Sequence, residues 1–96
     1  MRPSITLSEK RELVIASVAR HRAANPRVFG SVLRGQDGEG SDLDLLVDPL
    51  PGATLFDLGG LQMELEGLLG IRVDVLTPGD LPLTFRGKVL AEARQL

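Results

Sequence analysis

Two stretches decide the fold of this 96-residue chain: GSVLRG at residues 30–35 and SDLDLLV at residues 41–47. Ten residues separate Ser31 from Asp42, and Asp44 follows two positions later. A glycine lets backbone approach a phosphate closely, and the N–H groups of a helical turn after it favour anions. Two carboxylates one strand period apart can hold a divalent cation beside that turn. The pattern is typical of a site that moves a nucleotidyl group from a triphosphate to an acceptor.

Side-chain alternation makes this prediction more specific. In a strand over residues 42–47, Asp42, Asp44 and Leu46 point to one face. The side chains between them are apolar and point to the other face, which we expect to pack against helices: Leu43, Leu45 and Val47. The two aspartates therefore belong to the open face of a sheet.

A second strand, over residues 71–76, divides in the same way. Its apolar side chains alternate with Arg72 and Asp74, so these two also face away from the core. If the two strands are neighbours, Asp74 converges with Asp42 and Asp44 on the open face. Arg72 is interpreted as a surface charge.

Three carboxylates at close range repel each other, and a divalent cation removes that repulsion. Their oxygen atoms suit Mg²⁺, and two Mg²⁺ ions are expected. Asp42 and Asp44 would hold the metals and the triphosphate, and Asp74 would hold the second metal and accept the proton of the attacking hydroxyl. Gly30 and Ser31 would bind phosphate. Arg34, one turn further on, reaches either a phosphate or a structural acidic partner.

The remaining sequence predicts an α/β (α+β) domain. A first helix is expected over residues 7–22, with Thr6 and Glu9 as its capping box, and a second between Thr54 and Gly70. A strand over residues 27–30 precedes the turn at residues 31–34, which we call the phosphate turn. A last helix spans residues 83–94. The expected order is α-β-β-α-β-α, a small mixed sheet of three strands with helices packed on one face.

Some positions carry weaker signals. Gly59 and Gly60 destabilise the second helix, so we expect another group to approach its backbone there. His21, at a helix end, is expected to be exposed to solvent. The acidic residues outside the site are expected to be loop or edge charges: Asp37, Glu39 and Asp48.

Composition limits the classes of function. The length predicts one domain over residues 1–96. Eleven basic and thirteen acidic residues give a net charge of −2, and the only aromatic residues are three phenylalanines, so nucleic acid is not an expected partner. The absence of cysteine excludes disulfides and thiolate chemistry. No signal core or membrane-length apolar run is found, so we expect a soluble, cytoplasmic protein without a membrane partner.

These residues resemble the minimal nucleotidyltransferase family of the DNA polymerase beta superfamily. The family signature is Gly-Ser with Arg-Gly soon after it, then Asp-x-Asp after ten residues, and a third aspartate on a later strand. The matching residues are Gly30, Ser31, Arg34, Gly35, Asp42, Asp44 and Asp74. The TPGDLP stretch at residues 77–82, followed by a short helix, is also similar to the family.

The resemblance implies a nucleotidyltransferase palm and a function. Small members of this family act as antitoxins of HEPN/MNT toxin–antitoxin pairs. They transfer AMP from ATP, with Mg²⁺, to a tyrosine of a HEPN-domain ribonuclease toxin. The resemblance therefore implies a protein acceptor and a hetero-oligomer with the toxin.

Two alternatives stay open from the sequence. The chain could neutralise its toxin by binding alone, with any nucleotide chemistry secondary. It could also transfer a nucleotidyl group to a small molecule such as an aminoglycoside. The second alternative is less favoured because a single short domain has no further domain to shape that pocket.

Overall fold

The computed structural model describes residues 2–96. In chain order its elements are α1 (Pro3–Glu9), α2 (Arg11–Arg20), β1 (Ala23–Phe29), β2 (Leu43–Pro49), α3 (Leu55–Leu69), β3 (Val73–Leu76), a 3-10 turn (Pro78–Asp80), α4 (Leu83–Glu92) and β4 (Arg94–Gln95). Helices and one mixed sheet confirm the predicted α+β class. No helix in this described part is both long and apolar enough to cross a membrane.

One four-stranded sheet, in the order β3-β2-β1-β4, organises the fold. β2 pairs in parallel with β3 and antiparallel with β1, and β4 pairs antiparallel with the outer edge of β1. Parallel neighbours require a long connection, which α3 provides between β2 and β3. The strand that carries the Asp-x-Asp pattern is therefore flanked by β1 on one side and by β3 on the other.

The core lies on one face of this sheet, between the strands and helices α2 and α3. The alternate side chains of β2 have no exposed surface, and they join one cluster with apolar residues from the two helices: Leu43, Leu45, Val47, Val14, Val18, Leu61 and Leu65. Burying each large aliphatic side chain contributes about 1.5–3 kcal/mol. The predicted alternation in β2 is confirmed.

The opposite face is open only at one end. Leu46 shares this face with Asp44, yet it is fully buried and lies outside the main core cluster. The 3-10 turn after β3 contacts β2, and Leu81, directly after that turn, is also buried. The aspartates therefore occupy the part of the face that this connection leaves uncovered.

The N-terminal region differs from the prediction. Two helices meet at Lys10, where one helix over residues 7–22 was expected. Lys10 donates its Nζ hydrogen bond to the carbonyl of Leu68 at 2.6 Å, which ties the junction to the end of α3. The capping box at Thr6 and Glu9 is wrong, because Thr6 lies inside α1 and donates its hydroxyl to the carbonyl of Arg2. The helix starts earlier, with Pro3 at a first-turn position that needs no N–H donor.

The C-terminal region also differs. The last helix ends at Glu92, and residues 94–95 form β4, so the sheet has four strands and not three. Ala93 has an extended conformation that ends the helix. The free edge of β1 then binds the chain end: the Leu96 N–H donates to the carbonyl of Pro26, and the Gln95 side chain donates to Asn25 Oδ1. A two-residue strand leaves no periodic pattern that could be recognised in the sequence.

Helix α3 follows its prediction at both ends. Thr54 and Asp57 form the capping box, and Gly70 ends the helix at a φ of 67°. The group that approaches its backbone is His21: a Cβ atom at Gly60 would lie 3.3 Å from His21 Cδ2. His21 is only 23% exposed, and its Nδ1 lies 2.8 Å from the carbonyl of Ser17, so the predicted solvent exposure is wrong. Within residues 2–96, no atom lies within 4 Å of a Cβ added at Gly59.

Candidate active site

Strand pairing brings two of the three predicted aspartates side by side. Asp44 of β2 is in register with Asp74 of β3 in the parallel pair. Adjacent strands lie about 4.8 Å apart, and residues in register point to the same face. Because Leu43 and Val73 are buried on the helix side, both aspartates point to the opposite face. Asp74 is exposed there, whereas Asp44 is partly buried.

Asp42 stands one residue before β2, with 38% of its side chain exposed. The effect of this arrangement is seen at Asp44. Burial raises the pKa of Asp44, and the negative charges of Asp74 and Asp42 raise it further. The carboxylates of Asp74 and Asp42 therefore act electrostatically on Asp44.

The residues fit a hard divalent cation by their chemistry, because all three side chains offer carboxylate oxygens and their mutual repulsion favours positive charge. Their present arrangement, however, is not a complete metal-binding site. Within residues 2–96, no three acidic or histidine side chains are grouped closely enough to hold a metal ion as they stand. Closer approach of the three side chains would be needed.

Gly30 borders Asp44 from the β1 side. Phe29 is in register with Asp44, and the chain then turns at Gly30 with a φ of 75°. A Cβ atom at Gly30 would overlap Asp44 Oδ2 and lie 3.2 Å from its Cγ. Glycine is therefore required at position 30 for two reasons: a side chain would strain the backbone, and it would displace the Asp44 carboxylate.

The turn after Gly30 is one helical turn, as predicted. The N–H groups of Arg34 and Gln36 donate back to the carbonyls of Gly30 and Ser31, at 3.2 and 2.9 Å. The N–H groups of Ser31 and Val32 have no acceptor elsewhere in residues 2–96. Free N–H groups at the start of a turn are suited to an anion.

Arg34 is exposed on the same turn. The sequence left two roles open for it, a phosphate contact or a structural ion pair. Among the described residues, Arg34 takes part in no ion pair or side-chain hydrogen bond. The structural role is therefore not supported, and the phosphate contact stays a prediction.

Asp37 differs from its prediction as a loop charge. It is buried, and its Oδ2 accepts a hydrogen bond from the Ser4 N–H at 2.9 Å, at the start of α1. The Arg2 guanidinium also donates to the Asp37 carbonyl at 2.9 Å. The Ser4 hydrogen bond lowers the pKa of Asp37. This carboxylate fixes the loop between the phosphate turn and the aspartates, so it positions the site without belonging to it.

One sequence signal could have revealed Asp37. Helix α1 has no side-chain cap of its own, because Arg2 stands at the N-cap position. A helix start without a local acceptor needs one from elsewhere in the chain. Asp48, another of the three predicted loop or edge charges, lies near the end of the inner strand β2, in register with Ala24, so its predicted location is wrong. Arg27 donates to its Oδ1 at 2.6 Å.

An open cavity of about 520 Å³ adjoins Asp42 on the β3 side. Residues 40–42 form one wall, and the end of α3 with Ile71 and Arg72 forms the other. Arg72 is 83% exposed, as predicted for a surface charge. Its Nε lies 3.9 Å from Asp42 Oδ1, so it also borders the aspartates.

Known proteins with similar sequences agree on one family. The family model described as nucleotidyltransferase domain matches residues 15–96. A Methanocaldococcus jannaschii protein provisionally named protein adenylyltransferase MJ0435 is 35% identical over 89 residues, which are 93% of this chain and 96% of that protein. Protein adenylyltransferase MntA of Thermococcus cleftensis is 42% identical over 65 residues, which are 68% of this chain and 66% of that protein.

Solved structures agree with this assignment. A structure provisionally described as a minimal nucleotidyltransferase has a TM-score of 0.87 at 49% identity, covering 97% of this chain and 95% of the other. A toxin–antitoxin complex solved with AMP-PNP has a TM-score of 0.69 at 21% identity, covering 88% and 70%, which shows a shared fold. The chain therefore belongs to the nucleotidyltransferase domain family and is one of its minimal members, similar to proteins named protein adenylyltransferases.

Proposed function

We propose that this nucleotidyltransferase transfers AMP from ATP to a tyrosine hydroxyl of a cognate HEPN-domain ribonuclease toxin, and so acts as its antitoxin. The single observation that carries the proposal is the register of Asp44 with Asp74, with the Gly30 turn against Asp44. A phosphate turn and acidic side chains on one open face are what nucleotidyl transfer requires. We further propose that the chain acts in the cytoplasm, where an RNA-cleaving toxin would meet its substrate.

The nucleotide would bind by its phosphates. Ser31 and the free N–H groups of its turn would donate to phosphate oxygens, and the unpaired guanidinium of Arg34 would add a charged contact. Asp42, Asp44 and Asp74 would hold Mg²⁺, two ions in our proposal. Magnesium bound there would neutralise charge on the phosphates and offset the repulsion among the carboxylates.

The reaction is a displacement at the α-phosphorus of ATP. The oxygen of the acceptor hydroxyl forms a bond to this phosphorus while the bond to the bridging oxygen of the β-phosphate breaks. Pyrophosphate leaves with that electron pair, and the hydroxyl proton passes to a carboxylate, for which Asp74 is our candidate. Asp74 is exposed next to Asp44, so an acceptor from outside the domain can reach it.

The identity of the acceptor is supported by similar proteins. The Thermococcus cleftensis relative is named a protein adenylyltransferase, and several structures with the same fold are toxin–antitoxin complexes. The exposed position of Asp74 would also leave the site open to a large partner.

The experiment combines the purified chain, labelled ATP, Mg²⁺ and the HEPN-type protein encoded next to it. We expect label and the mass of AMP on the toxin, and loss of both when the modified tyrosine is replaced by phenylalanine. Asp42→Asn should abolish labelling while its circular dichroism spectrum stays that of the wild type. A competent toxin that gains no label from the wild-type chain would contradict the proposal.

Neutralisation by binding alone is a second candidate, and one observation favours it. Leu55, Phe56 and Met63 on α3 are each at least 75% exposed, and exposed apolar side chains grouped on one helix often mark protein contacts. The two candidates differ in cells that express the toxin. Binding alone predicts that Asp42→Asn still protects and that Phe56→Ser does not, whereas AMP transfer predicts that Asp42→Asn fails.

A further inference from the structure

We propose that the cavity beside Asp42 receives the acceptor side chain of the transfer reaction, a tyrosine, and that Arg72 orients it. The inference rests on the proposed function and adds to it a location for the second substrate. It assigns Arg72 a role in binding, where the sequence indicated a surface charge only.

The first argument is the position of the cavity relative to the phosphate turn. The Gly30 turn touches Asp44 from the β1 side, whereas Asp74 and the cavity lie on the β3 side. In-line displacement places the attacking and leaving oxygens on opposite sides of the phosphorus. With the triphosphate held at the β1 side, the attacking hydroxyl must enter from the β3 side. The cavity of about 520 Å³ opens beside Asp42, between residues 40–42 and the residues that precede β3.

The second argument is the chemistry of the cavity walls. The lining combines the apolar side chain of Ile71 with three charged side chains: Asp42, Glu66 and Arg72. A phenol ring offers apolar surface to Ile71 and an aromatic face to the guanidinium of Arg72, whereas a serine or threonine side chain offers neither. The ring would place its hydroxyl next to the carboxylates.

The third argument is that Arg72 is free to act. Its side chain is 83% exposed, and its Nε lies 3.9 Å from Asp42 Oδ1, which is a weak surface ion pair. A guanidinium with few competing contacts can stack on an aromatic face. No other ion pair or side-chain hydrogen bond of Arg72 occurs in residues 2–96.

The first test measures binding without catalysis. N-acetyl-tyrosinamide is titrated into the isotope-labelled chain, alone and with AMP-PNP and Mg²⁺, and amide NMR signals are followed. N-acetyl-alaninamide is the matched control ligand. We expect shifts for Gly40, Ser41, Ile71 and Arg72 with the tyrosine probe only. Shifts confined to other residues, or no shifts, would overturn the assignment of the cavity.

The second test uses variants of arginine. Arg72→Ala should weaken binding of the tyrosine probe about two- to fivefold, the range for a cation–π contact at an exposed site, while AMP-PNP affinity stays unchanged. Arg72→Lys should recover only part of the affinity, since it keeps the charge but loses the planar group. Arg94→Ala is the control, because Arg94 is an exposed arginine on β4, the opposite edge of the sheet. Equal probe affinity in Arg72→Ala and the wild type would refute the role of Arg72.

Kinetics separate this inference from the proposed function. With the toxin as acceptor, Arg72→Ala should raise KM for the toxin and leave KM for ATP unchanged. If the wild type transfers no AMP but the probe shifts the cavity signals, the proposed function fails and the binding site stands. If transfer occurs and Arg72→Ala changes only KM for ATP, the proposed function stands and this inference fails.

Discussion

The two faces of β2 differ in what they bury: one buries apolar side chains, and the other partly buries a carboxylate. On one face Leu43, Leu45 and Val47 are fully buried, and they pack against two helices. On the other, burial raises the pKa of Asp44, and the negative charges of Asp74 and Asp42 raise it further. The first face stabilises the fold, and the second is held in place at the expense of electrostatic repulsion. Neighbouring residues of one strand should therefore respond to mutation in different measurements.

The largest expected effect is on activity. Asp44→Asn should lower AMP transfer by about a thousandfold or more, since a carboxylate that holds charge at the reacting centre is lost. The free energy of unfolding should stay the same or rise, because the substitution relieves the repulsion from Asp42 and Asp74. Transfer kinetics and urea denaturation of the same samples measure both. An Asp44→Asn variant that unfolds more easily and keeps its activity would show that Asp44 stabilises the fold and does not serve the reaction.

The core face should show the reverse response. Leu45→Ala removes a side chain with no exposed surface and should lower the free energy of unfolding by about 2–5 kcal/mol. The residual folded protein should keep its affinity for AMP-PNP, because the side chain does not face the site. Leu50→Ala is the matched control, since Leu50 is 44% exposed just after the same strand and should change stability little. Equal destabilisation by both substitutions would contradict the location of the core.

Gly30 borders Asp44 on the open face, and its substitution should have an intermediate effect. Gly30→Ala introduces strain at a φ of 75° and pushes a methyl group against the Asp44 carboxylate. We expect about 1–3 kcal/mol lower stability, with weaker binding of AMP-PNP in the same variant. Gly35→Ala is the control, because Gly35 has a similar φ of 68° but no atom near the added methyl group. If both variants lose the same AMP-PNP affinity, contact with Asp44 is not the cause.

The smallest effect concerns acid stability on the helix side. Glu64 of α3 accepts hydrogen bonds from Ser17 and, at 2.6 Å, from Arg20, and it lies 3.3 Å from His21 Nδ1. The Ser17 hydrogen bond, then Arg20, lowers the pKa of Glu64 below its ordinary value of 4.5. A lowered pKa means that the ionised form stabilises the folded state above pH 4.5, and that this contribution is lost as the pH falls through the folded-state value.

Wild type should therefore be more stable than Glu64→Gln at neutral pH, and the difference should shrink as the pH falls below 4.5. Thermal denaturation across this range measures the difference directly. Glu12→Gln is the control, because the Glu12 side chain is 86% exposed and its pairing with Arg11 is loose. A gap between wild type and Glu64→Gln that does not change with pH would exclude ionisation of Glu64 as its source.

Short-range patterns predicted much of the fold. The strand alternation of β2, the capping box at Thr54 and the stop at Gly70 were confirmed, because each depends on residues within a few positions of one another. Two of the predictions that were wrong depend on distant partners. His21 is covered by α3, and Asp37 is buried against α1. Neither partner can be read from the residues beside it.

The sequence alone determined which groups are available for the proposed chemistry: a glycine turn, three carboxylates and their order along the strands. Residue type and periodicity contain this information locally, since a period of two assigns each aspartate to a face before any strand has found its neighbour. Only the tertiary structure decided that β3 lies beside β2, that Leu46 is covered while Asp44 is not, and that a cavity opens next to Arg72. These features arise between segments far apart in the chain, and they exist only when backbone pairing and core packing bring those segments together.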